Sequence, residues 1–194
     1  MPTPLSIRLV VWLWLIAAVV AGHLELMARL PVPAFPAILA ALAALVLLAY
    51  FKVRTLRGWI DSLDLRALVL LHLTRFVGFY FLLLYRRGEL PRAFAVPGGW
   101  GENLVAFLAL LVAVLPLAAS ARRHAIAVWN TIGLIDLVAV VATAAQLGLQ
   151  HPAQMRALTC LPLSLLPTFL VPLLLATHVI IFVRLSREKP LSSS

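Results

Sequence analysis

Long apolar runs separated by short polar clusters set the rhythm of this chain. Six of them approach the roughly 20 residues that a helix needs to cross a bilayer: about 7–28, 34–53, 65–86, 102–121, 125–147 and 161–184. No segment alternates apolar and polar positions over the length of a barrel strand. The pattern predicts an all-α fold, a polytopic membrane helix bundle of about six transmembrane helices. It forms a single domain over 1–186, and "REKPLSSS" at 187–194 reads as a short disordered C-terminal tail.

The connections have their own signals. "PVPAFP" separates the first two helices, because proline cannot continue a helix interior. "KVRTLRGWIDSLDLR" is polar enough to lie at a membrane interface, with Trp59 as its anchor. "RRGELPRAFAVPGGWGENL" reads as a loop in which Pro97, Gly98, Gly99 and Gly101 lead flexibly into a fourth helix starting at Glu102. Pro162, Pro167 and Pro172 interrupt the sixth run and predict a kink, where Ser164 or Thr168 either repairs the backbone or meets a solute. The first run is too long for a secretory signal core and lacks a small-x-small cleavage site, so it is expected to be retained.

Composition strengthens the membrane reading. Hydrophobic residues make up 63% of the chain and charged ones 12%, with a mean hydropathy of +1.05. A soluble domain of this size would need much more polar surface. The net charge of +9 does not point to nucleic acid, because the basic residues are scattered between apolar spans instead of forming a patch. They set topology instead. With a cytoplasmic amino terminus, that side carries Arg8, Lys52, Arg54, Arg57, Arg66, Arg122, Arg123, Arg184, Arg187 and Lys189, and the other carries Arg29, Arg86, Arg87, Arg92 and Arg156. Ten against five places both termini in the cytoplasm of a multi-pass cell-membrane protein, an inner-membrane one in a Gram-negative bacterium. The lone Cys160 excludes a disulfide framework and a multi-cysteine metal centre.

Few residues inside the spans carry chemistry. Counting 1.5 Å per residue from Arg66, His72 lies about 9 Å deep and Arg75 about 13 Å, close to the bilayer midplane. The same count puts His178 and Asn130 about 9–10 Å deep, level with His72, and Asp136 within reach of Arg75. A charge at mid-bilayer costs about 2.5–3.5 kcal/mol on lenient scales, so Arg75 needs an interior partner, and Asp136 is the expected one. Gly78 and Gly133 would let the third and fifth helices approach closely. Nearer the outer face, His23, Glu25 and Glu102 extend a candidate polar track.

These residues support three functional readings. The first is movement of a small solute or protons along Arg75, Asp136, His72, Asn130 and His178, with Arg75 as electrostatic anchor and the histidines as proton acceptors. The second is a redox protein holding a quinone or a b-type haem between the third and sixth helices, His72 and His178 serving as axial ligands. The third is a non-catalytic accessory membrane subunit, in which the polar residues only fix packing. No nucleotide-binding glycine fingerprint, phosphate loop, HExxH pair or GxSxG elbow is present. No metal site is expected apart from the haem alternative. The expected partners are the lipid bilayer and further copies in a homo-oligomer, since a chain this short needs others to enclose a wide pathway.

Overall fold

The computed structural model describes residues 3–187, and within them the chain is entirely helical and turn, with no strand. Of the tail predicted at 187–194, residues 188–194 lie outside the described residues, and Arg187 is instead the last residue of the final helix. Six helical segments are long and apolar enough to cross a membrane: Leu5–His23, Ala34–Lys52, Leu65–Arg86, Arg92–Val114, Ala119–Gln150 and Leu166–Arg187.

Helix α1 (Leu5–His23) leads through a 3-10 turn at Met27–Arg29 into α2 (Ala34–Lys52). The expected interfacial stretch forms a short helix, α3 (Arg54–Ser62), which buries Ile60 and tucks Trp59 partly against the bundle. The third span is composite: α4 (Leu65–Leu71), a 3-10 segment (His72–Val77) and α5 (Gly78–Arg86). Then come α6 (Arg92–Val114), α7 (Ala119–Gln150), a 3-10 stretch at Pro152–Thr159, and a π-helical turn (Leu166–Leu170) that runs into α8 (Val171–Arg187).

The third span starts cleanly because Asp64 caps it. The Asp64 carboxylate accepts the Arg66 backbone N–H at 2.8 Å and pairs with the Arg66 side chain at 2.8 Å. The hydrogen bond from Arg66 holds this carboxyl below the usual aspartate range. A folded-state pKa below the unfolded one gives stability that is present above about pH 4 and is lost as pH falls through the folded value. Asp64→Ala is expected to lower stability by about 1 kcal/mol at neutral pH. The gap between variant and wild type should close in melts recorded below about pH 4.

Several boundaries differ from the sequence expectation: the first span ends at His23 instead of 28, the fourth at Val114 instead of 121, and the fifth begins at Ala119 instead of 125. The fourth span begins at Arg92, ten residues before Glu102, and the Pro97–Gly101 stretch read as a loop is helical. Tertiary contact overrides local propensity here. At the crossing of α5 and α6, a Cβ on Gly99 would lie 2.8 Å from the Gly78 carbonyl oxygen, and a Cβ on Gly78 would strike the Gly99 carbonyl. Glycine is needed for that backbone approach, which compensates the helix for its poor formers. The sixth span starts at Leu166 instead of 161, with Pro162 left in the preceding turn.

The π-helical turn also explains how α1 attaches. Pro172 has no N–H, so it leaves the carbonyl of Thr168, four residues earlier, without its helical donor. The Trp14 indole N–H donates to that carbonyl at 2.9 Å, and its ring meets Phe169 edge-on at 4.9 Å. The Thr168 hydroxyl in turn donates to the Ser164 carbonyl at 2.7 Å, a bond back to the preceding turn, whereas the carbonyls that Pro167 and Pro172 free are those of Leu163 and Thr168.

Two apolar clusters close the bundle. Tyr50, Val69, Ile126, Trp129, Ile180 and Ile181 are among those that pack at the end carrying α3, and Phe81, Leu84, Phe94 and Leu163 are among those at the other. Between them lies a buried polar layer.

Candidate functional site

The irregularity of the third span places its polar residues. A 3-10 helix has three residues per turn, so side chains three apart eclipse. His72, Arg75 and the following Gly78 therefore share one face, turned into the bundle, and all three are buried.

Arg75 is completely buried. Its Nε donates to Glu102 Oε2 at 2.7 Å and its Nη2 to Glu102 Oε1 at 3.1 Å, a two-pronged carboxylate clamp. Nη1 donates to the Gly133 carbonyl at 2.8 Å, and Nη2 also pairs with the Asp136 carboxylate. One guanidinium thus ties the third span to both α6 and α7. The two acids sit differently: the Glu102 side chain is 4% exposed, whereas that of Asp136 keeps 22%. Asp136 lies against Gly101, where a Cβ would collide with its carboxylate.

One turn along the bundle sits the imidazole layer. His72 and His178 are fully buried, with ring centroids 4.3 Å apart. His72 Nε2 is 3.1 Å from the Thr177 hydroxyl. His178 Nδ1 is 2.8 Å from Asn130 Oδ1, and the Asn130 amide donates back to the His178 carbonyl at 3.0 Å. Trp129 stands edge-on to His72 at 4.9 Å and donates its indole N–H to the Val105 carbonyl. Gly133 makes room for this layer, since a Cβ there would lie 2.8 Å from His178 Cε1. His72 Nδ1 and His178 Nε2 have no hydrogen-bond partner.

The sequence-derived candidates are thus gathered only in part. Arg75 meets Asp136, and His72, Asn130 and His178 share a level and touch. Glu102, expected near the outer face, instead lies mid-helix as the principal partner of Arg75, because α6 begins ten residues earlier than the glycine-rich stretch suggested. Its register was the available signal, since Gly99 stands three residues before it on the face packed against the third span, and Gly98, four before it, faces Val140 of α7. His23, the last residue of α1, and Glu25 just beyond it are exposed and do not join the centre. The haem alternative does not fit: His72 and His178 are in ring-to-ring contact, with no gap between them for a porphyrin plane.

A cavity of about 460 Å³ reaches this centre from one side. It lies between α2, the third span, α7 and the sixth span, and is roofed by the Met27–Arg29 and Pro152–Thr159 turns. Arg75 and Glu102 line its inner end, while Asp136, His72 and His178 do not line it.

All the centre residues fall within a single family match, which covers residues 32–186 and is described as a domain of unknown function, DUF8737. The chain belongs to the DUF8737 family. The DUF8737 region takes in five of the six long helices and leaves out α1, the helix held by the Trp14 contact to the π-helical turn. No curated protein and no solved structure matches the chain.

Proposed function

We propose that this DUF8737 protein is a multi-pass cell-membrane protein, both termini cytoplasmic, that moves protons or a small solute past Arg75. The observation that carries this reading is one buried cation shared by two carboxyl groups with different surroundings. Glu102 borders the cavity, and Asp136 lies outside it with part of its surface open. Arg75 keeps its charge, so the three groups sum to −1 with both acids ionised and to zero when one holds a proton. A proton can therefore be taken up or released without leaving the guanidinium unpaired.

The surroundings support one-sided access. The cavity ends at Arg75 and Glu102, and beyond the imidazole layer the Tyr50, Ile126 and Trp129 cluster fills the opposite end with apolar side chains. Passage needs that plug to open. The 3-10 segment at His72–Val77 and the π-helical turn at Leu166–Leu170 are departures from α geometry of the kind found at functional hinges. His72, His178 and Asn130 would continue the path, and self-association would complete its walls.

Reconstitution into liposomes tests this reading. With a potassium diffusion potential and a trapped pH-sensitive dye, wild type is expected to carry protons at least about tenfold faster than Glu102→Gln, a general acid–base contribution being commonly larger than that. Equal rates for the two folded proteins would remove Glu102 from any proton path.

A further inference from the structure

The cavity specifies a ligand as well as a route. It follows α7 from Leu137 to Gly148, eleven residues or about 16 Å, so its 460 Å³ is long and narrow. Its walls are apolar, with Phe35, Leu39, Phe81, Val140, Ala144 and Leu170 among them. Charge appears only at the ends, as Arg75 with Glu102 at the inner one and Arg156 on the roofing turn. Such a site, apolar along its length with a few convergent polar groups, selects a slender hydrocarbon body with one polar head.

The inner end also sets the charge of that head. Arg75 and Glu102 bind each other through two hydrogen bonds and present the cavity with an ion pair, and with a proton on one of the two acids the centre as a whole carries no net charge. An anionic head would be set against the Glu102 carboxylate and a cationic head against the guanidinium, each desolvated. A neutral oxygen adds no charge, and it reaches the guanidinium by displacing the side chains that now enclose Arg75. Of the five guanidinium N–H groups, two bond Glu102, one bonds Gly133 and one bonds Asp136, leaving one hydrogen on Nη1. Thr74, also on the lining, uses its hydroxyl proton on the Leu71 carbonyl and keeps its lone pairs.

We propose that the cavity binds a single-chain amphipath with an uncharged carbonyl or hydroxyl head, the head seated at Arg75 and Glu102 and the chain lying between α2 and α7. An isoprenoid quinone and a long-chain alcohol share this chemistry. The inference names the substrate class of the Arg75 centre but does not require proton movement, because binding is read at equilibrium with no gradient. Loss of binding with intact proton flux, or the reverse, separates the two.

The test uses the full chain in lipid nanodiscs and four probes: decylubiquinone, hexadecanol, palmitate and hexadecylamine. At least one neutral probe is expected to raise the melting temperature at concentrations about tenfold below those needed for either charged one, a difference of about 1.4 kcal/mol. Decylubiquinone acting alone identifies a quinone head, and hexadecanol acting alone an alcohol. Ala144→Phe, which fills the middle of the cavity, should abolish the shift. A diazirine-bearing hexadecanol provides a readout that needs no variant, with adducts expected on Phe35, Leu39 or Val141. Adducts confined to outward residues such as Leu45 and Val138 would overturn the proposal, as would equal stabilisation by palmitate or hexadecylamine.

Discussion

Arg75→Met is expected to be the most damaging single substitution in this protein, lowering stability by about 3–5 kcal/mol. The loss comes less from missing attraction than from what remains: Glu102 is left as an almost fully enclosed carboxylate with neither of its donors. Against a typical folding stability of about 5–15 kcal/mol, that is enough to deplete the folded form. Arg75→Lys should recover little of it. An ammonium is a point donor and cannot reach both Glu102 oxygens, the Gly133 carbonyl and Asp136 together. Removing all three charges, with Arg75→Met, Glu102→Gln and Asp136→Asn combined, should be milder than Arg75→Met alone, since a whole buried network is less costly to delete than half of one. Exchanging only Arg75 and Asp136 should fail, because Glu102 would then face a second acid. Urea or thermal unfolding in mild detergent, read by tryptophan fluorescence, gives these differences directly. If Arg75→Met melted within about 1 kcal/mol of wild type, the network would be a minor contributor to folding.

The second large effect is expected at the helix crossing that carries the network. Gly78→Ala places a methyl group against the Gly99 carbonyl and 2.8 Å from Asn103 Oδ1. Two backbone segments cannot absorb that as a flexible side-chain tip would, so α5 and α6 must move apart. Overpacking of this kind costs about 1–3 kcal/mol. Position makes it worse for function: Arg75 lies three residues before Gly78 and Glu102 three after Gly99, so separating the crossing lengthens the ion pair it holds. Gly78→Ala should therefore lose both melting temperature and proton flux. Gly58→Ala is the matched control. Nothing lies within 4 Å of a Cβ there, and alanine in an exposed helix should stabilise by about 0.5–1 kcal/mol with flux unchanged. Comparable losses at both sites would show that the close approach at Gly78 is not what the bundle depends on.

Much of this architecture was legible along the chain. The apolar runs locate six long helices, and residue counts place His72, Asn130 and His178 at one depth with Asp136 near Arg75, because axial position in a helix is simply rise per residue. The Pro97–Gly101 stretch misled for a physical reason. Its residues are poor helix formers in isolation, yet α6 runs through them, and the resulting shift in register hid Glu102 as an arginine partner. The 3-10 segment that aligns His72 with Arg75 and Gly78 carries no local signature such as a proline or glycine pair.

By itself, then, the sequence determined that the chain makes long apolar helices and that Arg75, set deep in one of them, needs an acidic partner. Which acid, how many, and from which helices were decided by tertiary structure. Hydropathy and spacing are quantities along one axis, whereas the direction each helix turns toward its neighbours depends on side chains meeting across the bundle. Gly78 against Gly99 and Gly133 against His178 set those directions here, and through them the clamp on Arg75. The cavity is likewise a property of the assembled helices, since residues of α2, the third span, α7 and the sixth span together line it.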